Sequence, residues 1–172
     1  CGAHALFVVD LLASAEPLCA TWHWLVNNRD GLTEIKHVPP DRMVVRRGEA
    51  GMKLFHCAGG QPAGTAYSWM HDGYHPLPHQ LGEGPAGSGI VVRWKESAAA
   101  ARRVAVHAIA IDGYAAVARW HLRTENGRVA LEGPGGRPRW TLSAACDEIR
   151  VTEEHSGRTC GVRREDGGWE EV

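Results

Sequence analysis

Turn-forming residues divide this sequence into short segments, and they limit its fold more than any other feature does. Gly, Pro, Asn or Asp interrupts the chain roughly every 8–12 residues, a spacing typical of β-sandwiches. Apolar and polar residues alternate in residues 19–26 and 90–95, and a period of two predicts strands with one buried face. The alanine run 98–101 is too short to form a helix alone. We therefore predict an antiparallel β-sandwich of ten or more short strands, almost without helix.

The chain is long enough for one domain with a substantial core. The stretch GPGGRP at residues 133–138 is its clearest internal boundary loop. We expect residues 1–132 to form the main β-sandwich and residues 139–172 to add C-terminal strands that complete the same domain. Turn residues at 48–51 and at 112–113 predict two hairpins, the second joining strands 102–111 and 114–122. The apolar run 5–13 predicts a strand buried on both faces.

Composition excludes several classes of protein. A formal net charge of −1 argues against binding to nucleic acid, which needs a basic surface. No stretch approaches the roughly 18 apolar residues of a membrane span, and the run 5–13 lacks the basic start of a signal peptide. The five cysteines are widely spaced and form neither a disulfide framework nor a zinc motif. Cys19 and Cys57 lie in apolar runs and are expected to be buried thiols.

A long connection at residues 64–90 concentrates aromatic, imidazole and carboxylate side chains. Pro76 and Pro78 exclude a helix there, and loops longer than about 12–15 residues usually have a function. Aromatic rings beside hydrogen-bonding groups are typical of a sugar-binding platform. The candidate substrate-binding residues are Tyr67, Trp69, His71, Tyr74, His75, His79 and Gln80.

Other interpretations of this loop stay open. Trp69 could instead cap the core at a sheet edge, and the histidines could simply be solvated. A metal ion held by His71, His75 and His79 is a further alternative, although we expect no cofactor in this chain.

Basic side chains on the polar faces of predicted strands form a second group of candidates. If their strands are neighbours, they could make a cationic patch for acidic glycans, whereas an ordinary solvated sheet face is the simpler interpretation. The residues concerned are His23, Arg46, Arg93, Arg119 and His121. His107 shares a face with two isoleucines and is expected in the core.

Catalytic residues are not identified by any motif. No G-x-S-x-G elbow surrounds a serine, and no glycine-rich phosphate loop leads from a strand into a helix.

Four stretches resemble the β-domain of heparinase II/III-like polysaccharide lyases over residues 4–122. They are AHALFVVDLLAS, TWHWLV, YSWMHDGYHPLPHQLGEG and GSGIVVRW. The resemblance implies a β-sandwich that follows a helical catalytic domain, β-elimination on uronate-containing polysaccharides, and a bacterial periplasmic or secreted location. The family's histidine-rich metal motif and its H-N-T segment are not found in these residues, so no catalytic or metal residue is carried over.

We therefore expect a non-catalytic C-terminal domain of such a lyase, which supports the missing N-terminal helical domain and lends loop 67–83 to an acidic polysaccharide or oligosaccharide. Two alternatives stay open: a free-standing carbohydrate-binding module that uses Trp69 and Tyr74, and a structural sandwich whose loop packs against a partner chain.

Overall fold

The computed structural model describes residues 4–27, 32–38, 42–57, 89–95, 98–125, 128–145, 147–166 and 168–172. Within these ranges the chain forms thirteen strands and a one-turn helix, α1, at Tyr114–Val117. The first seven strands are β1 His4–Leu18, β2 Thr21–Asn27, β3 Thr33–Val38, β4 Arg42–Arg47, β5 Ala50–His56, β6 Gly89–Lys95 and β7 Ala100–Gly113. The remaining six are β8 His121–Glu125, β9 Arg128–Glu132, β10 Arg139–Ala144, β11 Glu148–Glu153, β12 Arg158–Glu165 and β13 Gly168–Glu171. The predicted all-β class is confirmed.

The strands form three antiparallel sheets. The central sheet has the order β1-β7-β5-β4-β3, and a six-stranded sheet has the order β13-β12-β11-β10-β9-β8. Strands β2 and β6 pair with each other and form a two-stranded ribbon. The ribbon packs on one face of the central sheet and the six-stranded sheet packs on the other. The central sheet is therefore covered on both faces.

Apolar side chains on alternate positions hold the three layers together, as period-two burial requires. The cluster under the ribbon comprises Met43, Val45, Leu54, Val92, Trp94 and Ile109. The clusters on the opposite face comprise Phe55, Val106, Ala108, Ala110, Val117, Trp120, Val129, Leu131 and Leu142. Strand β7 contributes to both sides, which explains its unbroken buried run from Ala105 to Ala110.

The hairpin predicted at 48–51 is present, because β4 and β5 pair antiparallel with Arg47 opposite Ala50. The hairpin predicted at 112–113 is wrong. Strand β7 runs through Gly113, whose φ of −57° is not the positive value that a type I′ turn needs, and α1 follows. The second predicted strand, 114–122, is thus replaced by α1 and the start of β8.

Packing against the central sheet explains this helical turn. Trp120 is fully buried and its Nε1 donates to Asp112 Oδ2 at 3.0 Å. The buried Lys53 ammonium donates to the carbonyl oxygens of Ala118 and Trp120, each at 2.8 Å, where the helical turn has ended. The Lys53 ammonium thus satisfies the hydrogen-bonding needs of these two carbonyl oxygens. Residues 118–120 therefore need no neighbouring strand to pair with.

Strand β1 differs from its prediction. It forms an edge of the central sheet, and its Leu6 is 52% exposed, so it is not buried on both faces. Cys19, which follows β1, is exposed rather than buried, and Cys57 is half-buried.

Among the described residues, no helix has the length and apolarity that a membrane crossing demands.

Candidate carbohydrate-binding surface

The ribbon has two chemically different faces because its side chains alternate. Trp22 lies opposite Trp94 in the register, and Trp24 lies opposite Val92. These four side chains face the central sheet, where Trp94 and Val92 are completely buried. Truncation of such a buried tryptophan to alanine costs about 3–5 kcal/mol, so these rings anchor the ribbon.

The tryptophans enclose two imidazoles of the central sheet. His56 on β5 lies directly opposite His107 on β7, and their Nδ1 atoms are 3.2 Å apart. The Trp22 ring centre is 5.0 Å from that of His56, and the Trp24 ring centre is 5.1 Å from that of His107. Trp94 stacks on His56 at 5.7 Å. The imidazole pair is therefore enclosed by indole rings and is not reachable by a large substrate.

A carboxylate orients this pair. Asp10 Oδ2 on β1 lies 3.4 Å from His107 Nε2, which favours the tautomer with the proton on Nε2. Nδ1 of His107 then accepts from His56 Nδ1–H, and His56 Nε2 keeps a lone pair. Neither His56 Nε2 nor His107 Nε2 makes a hydrogen bond of normal geometry among the described residues, so the Asp10 carboxylate at 3.4 Å acts on His107 chiefly through its charge. Asp10, His107 and His56 thus form one row across three neighbouring strands.

Both imidazoles are neutral at neutral pH. Burial, and to a lesser degree the charge of His107, lowers the pKa of His56 from 6.5 to about 4. Burial also lowers the pKa of His107, against the opposing effect of the Asp10 carboxylate. Neutral, hydrogen-bonded imidazoles under indole rings behave as part of the core.

The outer face of the ribbon is exposed and basic. His23 lies directly opposite Arg93, and Thr21 lies opposite Lys95, so four polar side chains stand side by side. Leu25 extends the same face and is 58% exposed. No carboxylate residue belongs to the outer face of the described β2 and β6 strands. We call His23, Arg93 and Lys95 the cationic strip.

The other predicted basic residues are distributed elsewhere. Arg46 lies on β4, where its Nη1 is 3.9 Å from Glu34 Oε2 and its guanidinium stands 4.6 Å from the Tyr114 ring centre. Arg119 and His121 follow α1 and are exposed. Of the five predicted basic candidates, the structure thus brings together only His23 and Arg93, and adds Lys95.

The predicted loop residues Tyr67, Trp69, His71, Tyr74, His75, His79 and Gln80 lie outside the described residues. In the sequence, however, that loop ends where β6 begins at Gly89. No group of three or more His, Cys, Asp or Glu side chains in the described ranges is arranged to hold a metal ion.

Sequence reasoning placed His107 in the core but missed His56 and Asp10. The signal for His56 is present, since Met52, Leu54 and His56 alternate along β5 and share a face. For Asp10, the sequence offers only one indication: a single carboxylate interrupts the apolar run 5–13.

Compared with known proteins, the chain matches no protein family and no curated protein sequence significantly. The resemblance to heparinase II/III-like lyases therefore stays a prediction from the quoted sequence stretches.

Proposed function

We propose that this chain is a non-catalytic β-sandwich domain that binds an acidic polysaccharide on the cationic strip, as part of a heparinase II/III-like lyase. The observation that carries the proposal is the direct pairing of His23 with Arg93, beside Lys95, on an exposed ribbon face with no carboxylate. Arginine guanidinium groups bind carboxylates and sulfates through paired hydrogen bonds. Basic residues aligned along a strand repeat about every 6.6–6.8 Å and can follow a linear anionic chain.

The anchoring of the ribbon supports this role. Its inner face is fixed by buried tryptophans, so the basic side chains stand on a rigid support rather than on a mobile loop. Leu25 supplies an apolar contact beside the charges, as a sugar ring requires. The strip also adjoins, in sequence, the aromatic loop that we predict to contact substrate.

We propose a non-catalytic role because the two histidines that could transfer protons are buried beneath tryptophan rings. Asp10, His107 and His56 have the residue types of a proton-transfer chain, but His56 and His107 are 4% and 0% exposed. General acid–base catalysis needs the group within hydrogen-bond reach of the substrate.

The test measures binding of heparin and polygalacturonate oligosaccharides to the folded protein by calorimetry, with neutral dextran as the comparison. The double variant R93S/K95S removes two positive charges from the strip and should weaken anionic binding at least about tenfold, with a reduced salt dependence. The matched variant R119S/R128S removes two exposed positive charges from the opposite side of the central sheet and should bind like the wild type.

Three results would overturn the proposal. They are equal binding by R93S/K95S and the wild type, no binding of either anionic glycan, and unsaturated uronate products formed by this chain alone. Preferential binding of dextran would favour the free-standing module with an aromatic platform instead.

A further inference from the structure

The two large sheets are staggered, so that two strands have no covering layer among the residues that the structure describes. Phe7 and Val9 of β1 pack in the same cluster as Ile149 and Val151, so the edge of the central sheet lies over β11. The six-stranded sheet continues past this edge to β12 and β13. No described residue of β12 or β13 belongs to a core cluster, and all of β13 is exposed.

The outer edge of β1 forms one wall of the resulting groove. Strand β1 pairs with β7 in an unbroken register from His4 opposite Ile111 to Ala13 opposite Arg102. Its other edge faces the groove, and no described strand pairs with it. Every second residue of this ten-residue stretch thus presents an outward N–H and C=O group, which is the template for adding a further strand.

The floor of the groove is the inner face of β11–β13. The register places Cys160 opposite Val151, Val162 opposite Ile149, and Trp169 opposite Arg164. A cavity of about 640 Å³ lies between β1 and this floor and is lined by residues that include Phe7, Trp140, Val151 and Cys160. A second cavity of about 690 Å³ is lined by Leu11, Arg164 and Trp169. The groove therefore follows β1 from Ala5 to Leu11.

We propose that this groove binds one extended peptide strand of a partner protein, which pairs with the outer edge of β1 and covers β12 and β13. Neighbouring strands lie about 4.7–4.9 Å apart, so among the described residues the width of β12 and β13 leaves room beside β1 for one or two added strands. The partially buried Phe7, Val9 and Leu11 would become fully covered.

Pairing of this β1 edge with the β1 edge of a second copy is excluded by the second layer of strands. Antiparallel pairing of β1 with β1 of another copy requires a two-fold axis perpendicular to the sheet. That axis keeps both six-stranded sheets on the same side of the joined central sheets. The uncovered β12 and β13 strands of the two copies would then occupy the same space, whereas an isolated strand has no such second layer.

The lining defines the chemistry of the partner strand. Alternate apolar side chains would meet Cys160, Val162 and Trp169 on the floor. At the Ala13 end, Arg102, Arg103 and Arg164 line a further cavity of about 210 Å³, which favours a carboxylate on the partner. Glu165 and Asp166 line the adjoining cavity, so this preference is confined to the arginine end.

The test uses the acetylated and amidated peptide Asp-Val-Thr-Val-Thr-Val-Thr-Val-Asp with the folded chain. Two matched peptides carry proline at the central threonine or lysine at both ends. Affinity is measured by fluorescence anisotropy, and we expect both matched peptides to bind at least about tenfold more weakly. Hydrogen exchange should show that the bound acidic peptide protects alternate amides of β1.

Two cysteines provide a site-resolved measurement. Cys160 and Cys19 are both exposed free thiols, but only Cys160 lines the groove. The acidic peptide should slow alkylation of Cys160, followed by mass spectrometry, and leave Cys19 unchanged. The variant Val162→Glu should abolish this protection, whereas Leu32→Glu, at a residue that is 67% exposed and outside the groove, should retain it.

The proposal is overturned if saturating acidic peptide protects neither Cys160 nor β1, or if it binds elsewhere on the chain. Equal affinity of the proline peptide would also overturn it. If Val162→Glu fails to fold, the wild-type protection pattern still decides the question. Glycan binding by the cationic strip is independent of every one of these results.

Discussion

His56 and His107 are held as uncharged side chains in contact with three indole rings, and this arrangement depends on pH. His56 is 4% exposed, and its pKa is lowered to about 4 because burial disfavours the imidazolium form. In the unfolded chain the same imidazole would protonate near its ordinary value of 6.5. Between these two values the unfolded state binds more protons than the folded state, so stability falls as the pH decreases.

We therefore predict that His56→Asn flattens the pH dependence of stability between pH 6.5 and pH 4. The asparagine amide can still donate at the position of Nδ1, but it does not titrate. His56 accounts for a loss of up to about 3 kcal/mol across this window in the wild type. Urea unfolding at several pH values measures the difference.

The matched control for this prediction is His23→Asn, which changes the same residue type on the exposed outer face of the ribbon. It should leave the pH profile close to that of the wild type. His107, whose pKa is also lowered by burial, remains in His56→Asn, so a residual slope is expected in that variant. An unchanged slope in His56→Asn would show that burial of this imidazole does not limit stability in acid.

At the scale of elements, the contact between β5 and α1 explains why the chain makes a helical turn after β7. A Cβ atom at Gly51 would lie 2.5 Å from Val117 Cγ1 and 2.9 Å from the Tyr114 Cα atom. The helix thus packs directly on the β5 backbone, at a position where only glycine leaves room. The type I′ signal at Asp112-Gly113 is a local preference, and this packing overrides it.

We predict that Gly51→Ala lowers the free energy of unfolding by about 1–3 kcal/mol, because one of the clashing atoms is backbone. Gly113→Ala is the matched change, since its Cβ would approach only Glu49 O, at 3.9 Å. That variant should stay within about 0.5 kcal/mol of the wild type. Thermal unfolding compares the two, and equal melting temperatures would contradict close packing of α1 on β5.

For the whole molecule, the staggered layers predict an uneven distribution of local stability. Strand β7 lies between the ribbon and the six-stranded sheet, and its residues from Ala105 to Ala110 are all buried. Strands β12 and β13 are mostly exposed, and none of their described residues belongs to a core cluster. Local opening requires less free energy where few apolar contacts are lost.

Hydrogen exchange followed by mass spectrometry should therefore show the slowest exchange in β7 and β5 and the fastest strand exchange in β12 and β13. Addition of the acidic peptide described above should narrow this difference, since the peptide would cover the two outer strands. Protection of β12 and β13 equal to that of β7 in the free protein would contradict the staggered arrangement.

Sequence by itself determined the fold class and much of the strand pattern, because alternation and turn residues act over a few neighbouring positions. It predicted the alternation of residues 19–26 and 90–95 that gives β2 and β6 two different faces, the outward position of Arg93, and the hairpin at 48–51. It also indicated that His107 belongs to the core.

Only the tertiary structure decided which strands are neighbours. The pairing of β2 with β6 across more than 60 residues puts His23 beside Arg93, and the pairing of β1, β7 and β5 aligns Asp10, His107 and His56. The position of β1 at the edge of the central sheet and the replacement of a predicted strand by α1 have the same origin. Each depends on contacts between segments that are far apart in the chain, and local periodicity contains no information about those contacts.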